Sequence, residues 1–261
     1  MFRYVMGAAQ IFPGGKTNTP RMRCTYLLLD LGTLLPVLLF SFHPRIRFYR
    51  HWRTYLPALF LSATVFILWD ILFTGWAVWG FNPKYVTGLY AFRLPLEEWL
   101  FFVCIPYACV FTAYCIRLAT NRGLGARSEK AVTATLVGVF IATGLWNWSR
   151  RYTATTFISL GALLAYTSFF LKVRWLGSFY FSWLFLLIPL LLVDGILTGT
   201  GLQSPVVWYN AKDIIGVRIG TIPIEDFFYG MDLVLLNVVL FYRLQLAQAT
   251  RLSEHRSSLG S

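Results

Sequence analysis

The sequence NPKYVTGLYAFRLPLEEWL, at residues 82–100, occurs a second time as NAKDIIGVRIGTIPIEDFF at residues 210–228. The two copies align without a gap at an offset of 128 residues. Each copy has a proline followed by an acidic pair, and these pairs are Glu97 with Glu98 and Glu225 with Asp226. Apolar and aromatic residues surround both pairs. Acidic groups in a membrane helix are costly, so a chain that repeats the pair is expected to use it.

The composition around this motif is typical of an integral membrane protein. Of 261 residues, 57% are hydrophobic, and the mean hydropathy is +0.60. Seven apolar runs, each near the ~20 residues that cross a bilayer, lie at 24–42, 55–77, 94–117, 131–149, 153–171, 180–200 and 222–244. In lipid such runs must be helices, because each backbone polar group has to be satisfied internally. The sequence therefore predicts an all-α polytopic membrane protein with seven transmembrane helices.

The repeat extends beyond the motif into the preceding helices. The pattern DxxxTG begins at Asp70 and again at Asp194, and LGTLL at 31–35 resembles LGALL at 160–164, an offset of 129. Each repeat is thus predicted to contain three helices.

The predicted repeats span 24–117 and 153–244, and the run at 131–149 is a linker helix outside both. Three helices and one linker make an even number of crossings, so the repeats have the same orientation. A pseudo-twofold axis along the membrane normal is expected, as in other parallel-repeat membrane proteins.

The predicted membrane domain covers residues 22–245. Residues 1–21 are rich in turn-forming residues and are predicted to be a flexible N-terminal extension, and 246–261 is predicted to be a disordered tail.

The net charge of +12 does not indicate nucleic-acid binding. The Lys and Arg residues form short clusters between apolar runs, which is typical of contacts with lipid headgroups and of topology signals. We expect a multi-pass protein of the cell membrane, with membrane lipids as partners.

Metal and cofactor motifs are missing from the sequence. The four cysteines form no CxxC and have no zinc spacing, and the three histidines lie outside the apolar runs. No GxGxxG or GxxxxGK[ST] occurs. We therefore predict neither a metal nor a cofactor.

Six acidic residues are predicted to lie at one end of the helices and to be catalytic: Glu97, Glu98, Glu225, Asp226, Asp70 and Asp194. Low dielectric and a second carboxylate nearby both favour the neutral form of a carboxylic acid, which could then donate a proton near neutral pH. Two simpler explanations stay open. Acids in a first turn favour the helix dipole, and Asp70 and Asp194 could pair with Arg93, Arg218 or Lys84.

Aromatic residues flank these acids. Four are predicted to bind substrate, because aromatic faces stabilise cations without acting as nucleophiles: Trp69, Trp99, Phe102 and Phe227. The alternative is the ordinary enrichment of aromatic residues at membrane interfaces.

Asp70 with PLEE at 95–98, and Asp194 with PIED at 223–226, resemble the heterodimer-type lycopene cyclases of carotenoid biosynthesis. In some bacteria that enzyme consists of two three-helix polypeptides, whereas in others, and in fungal bifunctional proteins, the halves are fused. This chain looks like a fused form over 22–245, and YLLLDLG at 26–32 adds to the resemblance.

The resemblance implies a lycopene β-cyclase, an isomerase of the intramolecular lyase type that needs no flavin. It would convert lycopene, a linear carotenoid taken from the lipid phase, to γ-carotene and β-carotene. A neutral acid, Glu97 or Glu225, would protonate the terminal double bond, and the neighbouring double bond would close the ring. A carboxylate from the remaining four would then remove a proton. The residues alone leave β, ε and γ rings open.

Other functions also fit parts of the pattern. A proton-coupled transporter would use intramembrane acids and parallel repeats. A carotenoid-binding protein without catalysis, or a cyclase for longer or oxygenated linear carotenoids, would share the same apolar setting.

Overall fold

The computed structural model describes residues 23–120 and 122–259, so the predicted extension at 1–21 lies outside the described residues. Within them the chain forms seven α-helices: α1 (Thr25–Phe40), α2 (Trp52–Gly75), α3 (Leu96–Ala119), α4 (Ala126–Trp146), α5 (Arg151–Ala165), α6 (Leu176–Leu197) and α7 (Ile224–Leu259). A 3₁₀ turn (Phe48–His51) precedes α2, and a π-helical turn (Tyr166–Phe170) follows α5.

Six of the helical segments are long and apolar enough to cross a membrane: Phe48–Gly75, Leu96–Ala119, Ala126–Trp146, Arg151–Phe170, Leu176–Leu197 and Ile224–Arg251. The remaining helix, α1, is apolar but has 16 residues. Large apolar side chains such as Phe60, Leu184 and Ile188 are exposed on the outer helix faces, where lipid tails would cover them. The chain is therefore a mostly helical membrane protein, with one fewer span of full length than the sequence predicts.

Six short strands lie between the helices: β1 (Trp79–Phe81), β2 (Tyr90–Ala91), β3 (Leu94–Pro95), β4 (Val207–Tyr209), β5 (Arg218–Ile219) and β6 (Ile222–Pro223). β2 pairs with β3, and β5 pairs with β6 at equivalent positions 128 residues later. Gly88 (φ +92°) and Gly216 (φ +89°), also 128 apart, adopt the left-handed backbone that glycine tolerates best. The repeated sequence thus forms the same hairpin twice, each leading directly into a helix.

β1 and β4 join the two repeats in an antiparallel pair. Gly80 lies opposite Trp208, its equivalent in the other repeat. The flanking backbone bonds are also equivalent, since Asn82 donates to Val206 and Asn210 donates to Val78, both at 2.8 Å. A pseudo-twofold axis therefore passes through this pair, and both hairpins lie at the same end of the molecule.

The second repeat has four more residues than the first between DxxxTG and the hairpin, because Asp194 follows Asp70 by 124 positions and Asn210 follows Asn82 by 128. These additional residues form a local turn. In the first repeat, the Val78 amide donates to the Phe73 carbonyl, which ends α2. The equivalent bond in the second repeat runs from the Val206 amide to the Leu197 carbonyl at 2.8 Å, across the inserted turn. The insertion therefore leaves the β1–β4 pairing in register.

The helix α4 packs mainly on α5. A Cβ atom at Gly144 would lie 2.6 Å from the Ile158 side chain and 3.0 Å from the Ala154 carbonyl, so the two helices approach at this glycine. In this arrangement α4 lies at the side of the molecule.

The C-terminal part of α7 differs from the sequence prediction. The helix continues to Leu259, through residues that we predict to be a disordered tail. Residues 246–259 contain no Gly or Pro and include Ala, Leu, Arg, Glu and Gln, all of which favour helix.

Candidate active site

A cavity of about 360 Å³ lies between the helices at the end that carries the hairpins. Four acidic side chains line it: Asp70 from α2, Glu98 from α3, Asp194 from α6 and Asp226 from α7. Each repeat therefore contributes two acids to one shared cavity, from equivalent positions. Asp194 is half-buried, and the other three acids are at most 7% exposed.

The cavity is long and otherwise mostly apolar. Its lining on α3 runs from Glu98 to Thr112, a distance of about 20 Å at 1.5 Å per residue. Away from the acids the walls include Ile105, Leu186 and Val234. The site thus combines a carboxyl cluster at one end with an elongated apolar chamber behind it.

Tyrosine hydroxyls hold one acid of each repeat. Tyr26, in α1, donates to Glu98 Oε2 at 2.6 Å, and Tyr152, in α5, donates to Asp226 Oδ1 at 2.6 Å. Tyr209 adds a second bond, to Asp226 Oδ2 at 2.8 Å. Because each donor is a hydroxyl, these bonds favour the ionised form of the acceptor.

Tyr209 lies outside the helices and remains a proton donor. Burial, followed by the negative charge of Asp226, raises the pKa of the Tyr209 hydroxyl well above its ordinary value. The hydroxyl is therefore neutral at physiological pH, and both oxygens of Asp226 accept hydrogen bonds.

The other two acids have fewer donors. The Trp79 indole N–H and, at 3.5 Å, the Thr74 hydroxyl donate to Asp70 Oδ1, whereas Asp70 Oδ2 is buried without a partner. Asp194 Oδ2 is also buried without a partner, and the Asp194 side chain lies beside Asp226. Two neighbouring carboxyl groups disfavour double ionisation, so such a pair readily retains one proton.

Glu97 and Glu225 are not among the residues that line the cavity. Glu97 Oε1 accepts the Thr87 amide at 2.6 Å, and Glu225 Oε1 accepts the Ile215 amide at the same distance. Glu225 Oε1 also accepts the Thr153 hydroxyl at 2.6 Å. The structure thus separates the two acids of each motif, since the first fastens the hairpin loop and the second faces the cavity.

The four aromatic residues predicted to bind substrate also lie outside the lining. Trp69 and Phe102 pack in an aromatic cluster with Phe66, Trp99 contacts the Ala91 carbonyl through its indole, and Phe227 is buried. The aromatic walls are instead formed by other residues: Tyr26, Trp79, Phe81, Phe101, Tyr152, Trp183, Tyr209 and Tyr229.

Two further acids are buried near the cavity. Asp30, in α1, is fully buried, and neither of its oxygens has a partner. Asp232, in α7, accepts the Ser159 hydroxyl at 2.6 Å. Across residues 23–120 and 122–259, no three His, Cys, Asp or Glu side chains are arranged to hold a metal ion.

A second, smaller cavity of about 110 Å³ lies toward the opposite end of the helices. Its polar lining includes His51, Arg117 and Gln245. Phe179 and Trp183 stack at 6.4 Å in the region between the two cavities.

A family model described as "Lycopene cyclase" matches residues 23–116 and 149–244. No match was found among curated proteins or among solved structures. The two matched segments correspond to the two repeats, leave out α4 and together cover more than half of the chain. The family resemblance is therefore confirmed, and this multi-pass membrane protein belongs to the lycopene cyclase family of carotenoid-cyclising enzymes.

Proposed function

We propose that this protein is a lycopene β-cyclase that converts lycopene to γ-carotene and then to β-carotene without a cofactor. We further propose that all seven helices cross the cell membrane, as two parallel three-helix repeats joined by α4. The observation that carries the proposal is the convergence of Asp70, Glu98, Asp194 and Asp226 on one elongated apolar cavity. A linear hydrocarbon matches the chamber in shape and polarity, and its end group would reach the acids.

We assign Asp194 as the proton donor. Asp226 accepts two tyrosine hydroxyls and is thereby held as a carboxylate, whereas the neighbouring Asp194 has no such donor. The negative charge of the neighbouring Asp226 opposes ionisation of Asp194, so the proton stays on Asp194 until substrate arrives. Asp194 is also the least buried of the four acids, which gives an alkene access to that proton. This assignment replaces Glu97 and Glu225, whose contacts fasten the loops.

Ring closure then requires no further reactant. The proton of Asp194 forms a C–H bond with the terminal double bond and leaves a tertiary cation. The neighbouring double bond attacks that cation, which forms the ring bond and moves the positive charge onto a ring carbon. Glu98 removes a proton from the adjacent ring carbon, and the electron pair of that C–H bond becomes the ring alkene. The product is an isomer of the substrate.

The remaining residues protect the cations. The ionised carboxylates of the cluster offset the positive charge, and the faces of Tyr229 and Trp79 stabilise it in the same cavity. Apolar walls exclude water, which would otherwise trap the cation as an alcohol. The proton taken up by Glu98 must return to Asp194 before the next ring closes, and both side chains line the same cavity.

The test is expression in cells that accumulate lycopene, followed by chromatography of the pigments. The unaltered chain should convert red linear pigment to ringed products. Asp194→Asn, which keeps the shape but loses the transferable proton, should lower ring formation by about 10²–10⁴-fold. Ring formation at the unaltered rate in Asp194→Asn would remove this assignment, and absence of rings with the unaltered chain would remove the function.

Proton-coupled transport is the second candidate, favoured by the His51, Arg117 and Gln245 side chains in the cavity at the opposite end. Transport also requires passage between the two cavities, where buried apolar side chains such as Val110 and Leu186 lie. Reconstitution into vesicles with an internal pH dye distinguishes the two functions, because a cyclase should leave an imposed pH gradient intact.

A further inference from the structure

The cavity lies between α2 of the first repeat and α6 of the second, which occupy equivalent positions. The side chains that these two helices carry near the acids differ in size. Because Asp194 corresponds to Asp70, positions on α6 match positions on α2 at an offset of 124. Two α6 residues near the acids, Leu190 and Val193, therefore correspond to Phe66 and Trp69. The α2 side has large aromatic residues where the α6 side has smaller aliphatic ones.

On the α2 side these aromatic residues fill the space. Phe66 and Trp69 stack with ring centroids 5.6 Å apart, and Tyr229 of α7 packs edge-on against both, at 5.2 and 5.3 Å. Phe102, in α3, completes the cluster and is 1% exposed. Neither Phe66 nor Trp69 lines the cavity. The cluster thus closes the molecule between α2 and α7.

On the α6 side the cavity reaches the outer surface. Leu190, Leu192 and Val193 line it together with Thr33 and Val37 of α1. Leu192 is 65% exposed, so the space that contacts the acids continues to the lipid-facing side of α6.

Two further differences accompany this opening. The residue that corresponds to Phe102 is Gly230, which has no side chain. The helix α6 also packs less closely along α3 than α2 does along α7, although the two pairs are equivalent. The wider side of the cavity is therefore the α6 side.

We propose that the gap beside α6, where α1 and α3 face that helix, is the portal through which the linear carotenoid enters from the lipid. The Phe66–Trp69–Tyr229 cluster shuts the equivalent space between α2 and α7. This inference rests on the proposed function. The gap is lined mainly by apolar residues, which suits a polyene chain and not an ion. Asp194, the assigned proton donor, is on the helix that borders the portal.

One portal has a consequence for the order of the reaction. One end group occupies the acid cluster while the rest of the polyene extends through the gap toward lipid. The second end group reaches the same acids only after the first has withdrawn. γ-Carotene, with one ring, should therefore leave the enzyme and appear before β-carotene.

The experiment introduces the large aromatic side chains of the closed α2 side at the equivalent positions of the open α6 side. Val193→Trp and Leu190→Phe introduce the residues that α2 has at the equivalent positions. The matched control is Ile188→Trp, on the same helix but outside the cavity lining and 60% exposed. Each variant is produced in lycopene-accumulating cells, and two quantities are measured: ringed pigment in the cells, and lycopene that remains bound to the detergent-purified protein. Size-exclusion chromatography verifies folding.

We expect Val193→Trp to lower both ring formation and bound lycopene at least tenfold, Leu190→Phe to lower them less, and Ile188→Trp to retain both. Folded Val193→Trp protein that still forms rings and binds lycopene at unaltered levels would overturn the portal while leaving the proposed function intact, and so would an equal loss in Ile188→Trp. If the unaltered chain forms no rings but binds lycopene, the binding measurement alone decides the portal. If it does neither, the portal is abandoned together with the proposed function.

Discussion

At the scale of single residues, the acids of the motif divide into two kinds. Glu98 and Asp226 face the cavity and accept tyrosine hydroxyls, whereas Glu97 and Glu225 accept backbone amides. Adjacent residues on a helix differ by about 100° in direction, so one of each pair points to the cavity and the other to the loop. The second acid of each pair thus faces the cavity, whereas the first holds the hairpin loop.

The hydroxyls of Tyr26 and Tyr152 should be required for rapid ring formation. A hydrogen bond to a charged group contributes about 1.5–3 kcal/mol, so Tyr26→Phe and Tyr152→Phe should each lower the rate roughly 10- to 100-fold. Pigment ratios in lycopene-accumulating cells measure this. Tyr180→Phe is the matched control, because the Tyr180 hydroxyl bonds with Thr133 at 2.8 Å, away from the acids. An equal loss in Tyr180→Phe would show that the effect is structural.

Glu97 should contribute to the stability of the folded protein and not to the chemistry of ring formation. Glu97→Ala leaves the half-buried Thr87 amide without its acceptor, at a cost of about 1–3 kcal/mol, and should lower the melting temperature by about 2–10 °C. Glu97→Gln keeps an acceptor oxygen and should lose much less, both in stability and in ring formation. Thermal unfolding followed by size-exclusion chromatography measures the difference. If Glu97→Gln lost ring formation as completely as Asp194→Asn, Glu97 would belong in the chemistry after all.

The sequence predicts the acids at this scale but not the tyrosines. Matching LGTLL at 31–35 to LGALL at 160–164 sets an offset of 129, which places Tyr26 opposite Thr155. The equivalent contacts of α1 and α5 follow an offset of 126, so that Tyr26 matches Tyr152. An offset of 126 would have revealed the pair, but apolar residues align about equally well at several shifts.

At the scale of elements, the residue offset between the two repeats is constant in the hairpins and the strand pair, where backbone hydrogen bonds join the segments. The hairpins and the bonds around Asn82 and Asn210 keep the offset of 128, whereas the offset is 126 between α1 and α5 and 124 between α2 and α6. The chain therefore tolerates changes of length between helices but keeps the hairpin and the helix that follows it. This constant spacing places the cavity-facing acids of α3 and α7 at the same depth in the molecule.

The β1–β4 pair should be sensitive to any side chain at Gly80. A Cβ atom there would lie 2.5 Å from the Trp208 ring, so Gly80→Ala must displace the indole or the strand. We expect a loss of about 1–3 kcal/mol in stability, seen as a lower melting temperature. Gly138→Ala is the matched control, because no atom lies within 4 Å of a Cβ at that position of α4. An unchanged melting temperature for Gly80→Ala would show that the β1–β4 pair is loosely packed at Gly80.

At the scale of the whole molecule, the site exists only between the repeats. Each half contributes two of the four acids that line the cavity, and the β1–β4 pair on the pseudo-twofold axis takes one strand from each half. The sequence predicts this parallel arrangement from the number of helices alone. It does not predict that one side is closed and the other open, because that depends on which side chains fill the space between packed helices.

Two separate polypeptides should therefore recover the function only together. If the chain is divided between Ala119 and Ala126, α4 remains with the second half. Neither half alone should form rings, and co-expression of both should restore ring formation, because the shared cavity reassembles. Ring formation by one half alone would show that two acids suffice.

The position of α4 has a consequence for how a protein of this kind can arise. If a unit of three membrane crossings is duplicated directly in tandem, the second copy has the opposite orientation in the membrane. The acids of the two copies would then lie at opposite membrane surfaces. The helix α4 contributes no residue to the cavity lining, yet in the proposed seven-crossing topology its single pass returns the second unit to the orientation of the first. A single-chain protein with both acid pairs in one cavity therefore needs a linker that crosses the membrane an odd number of times, whatever the sequence of that linker.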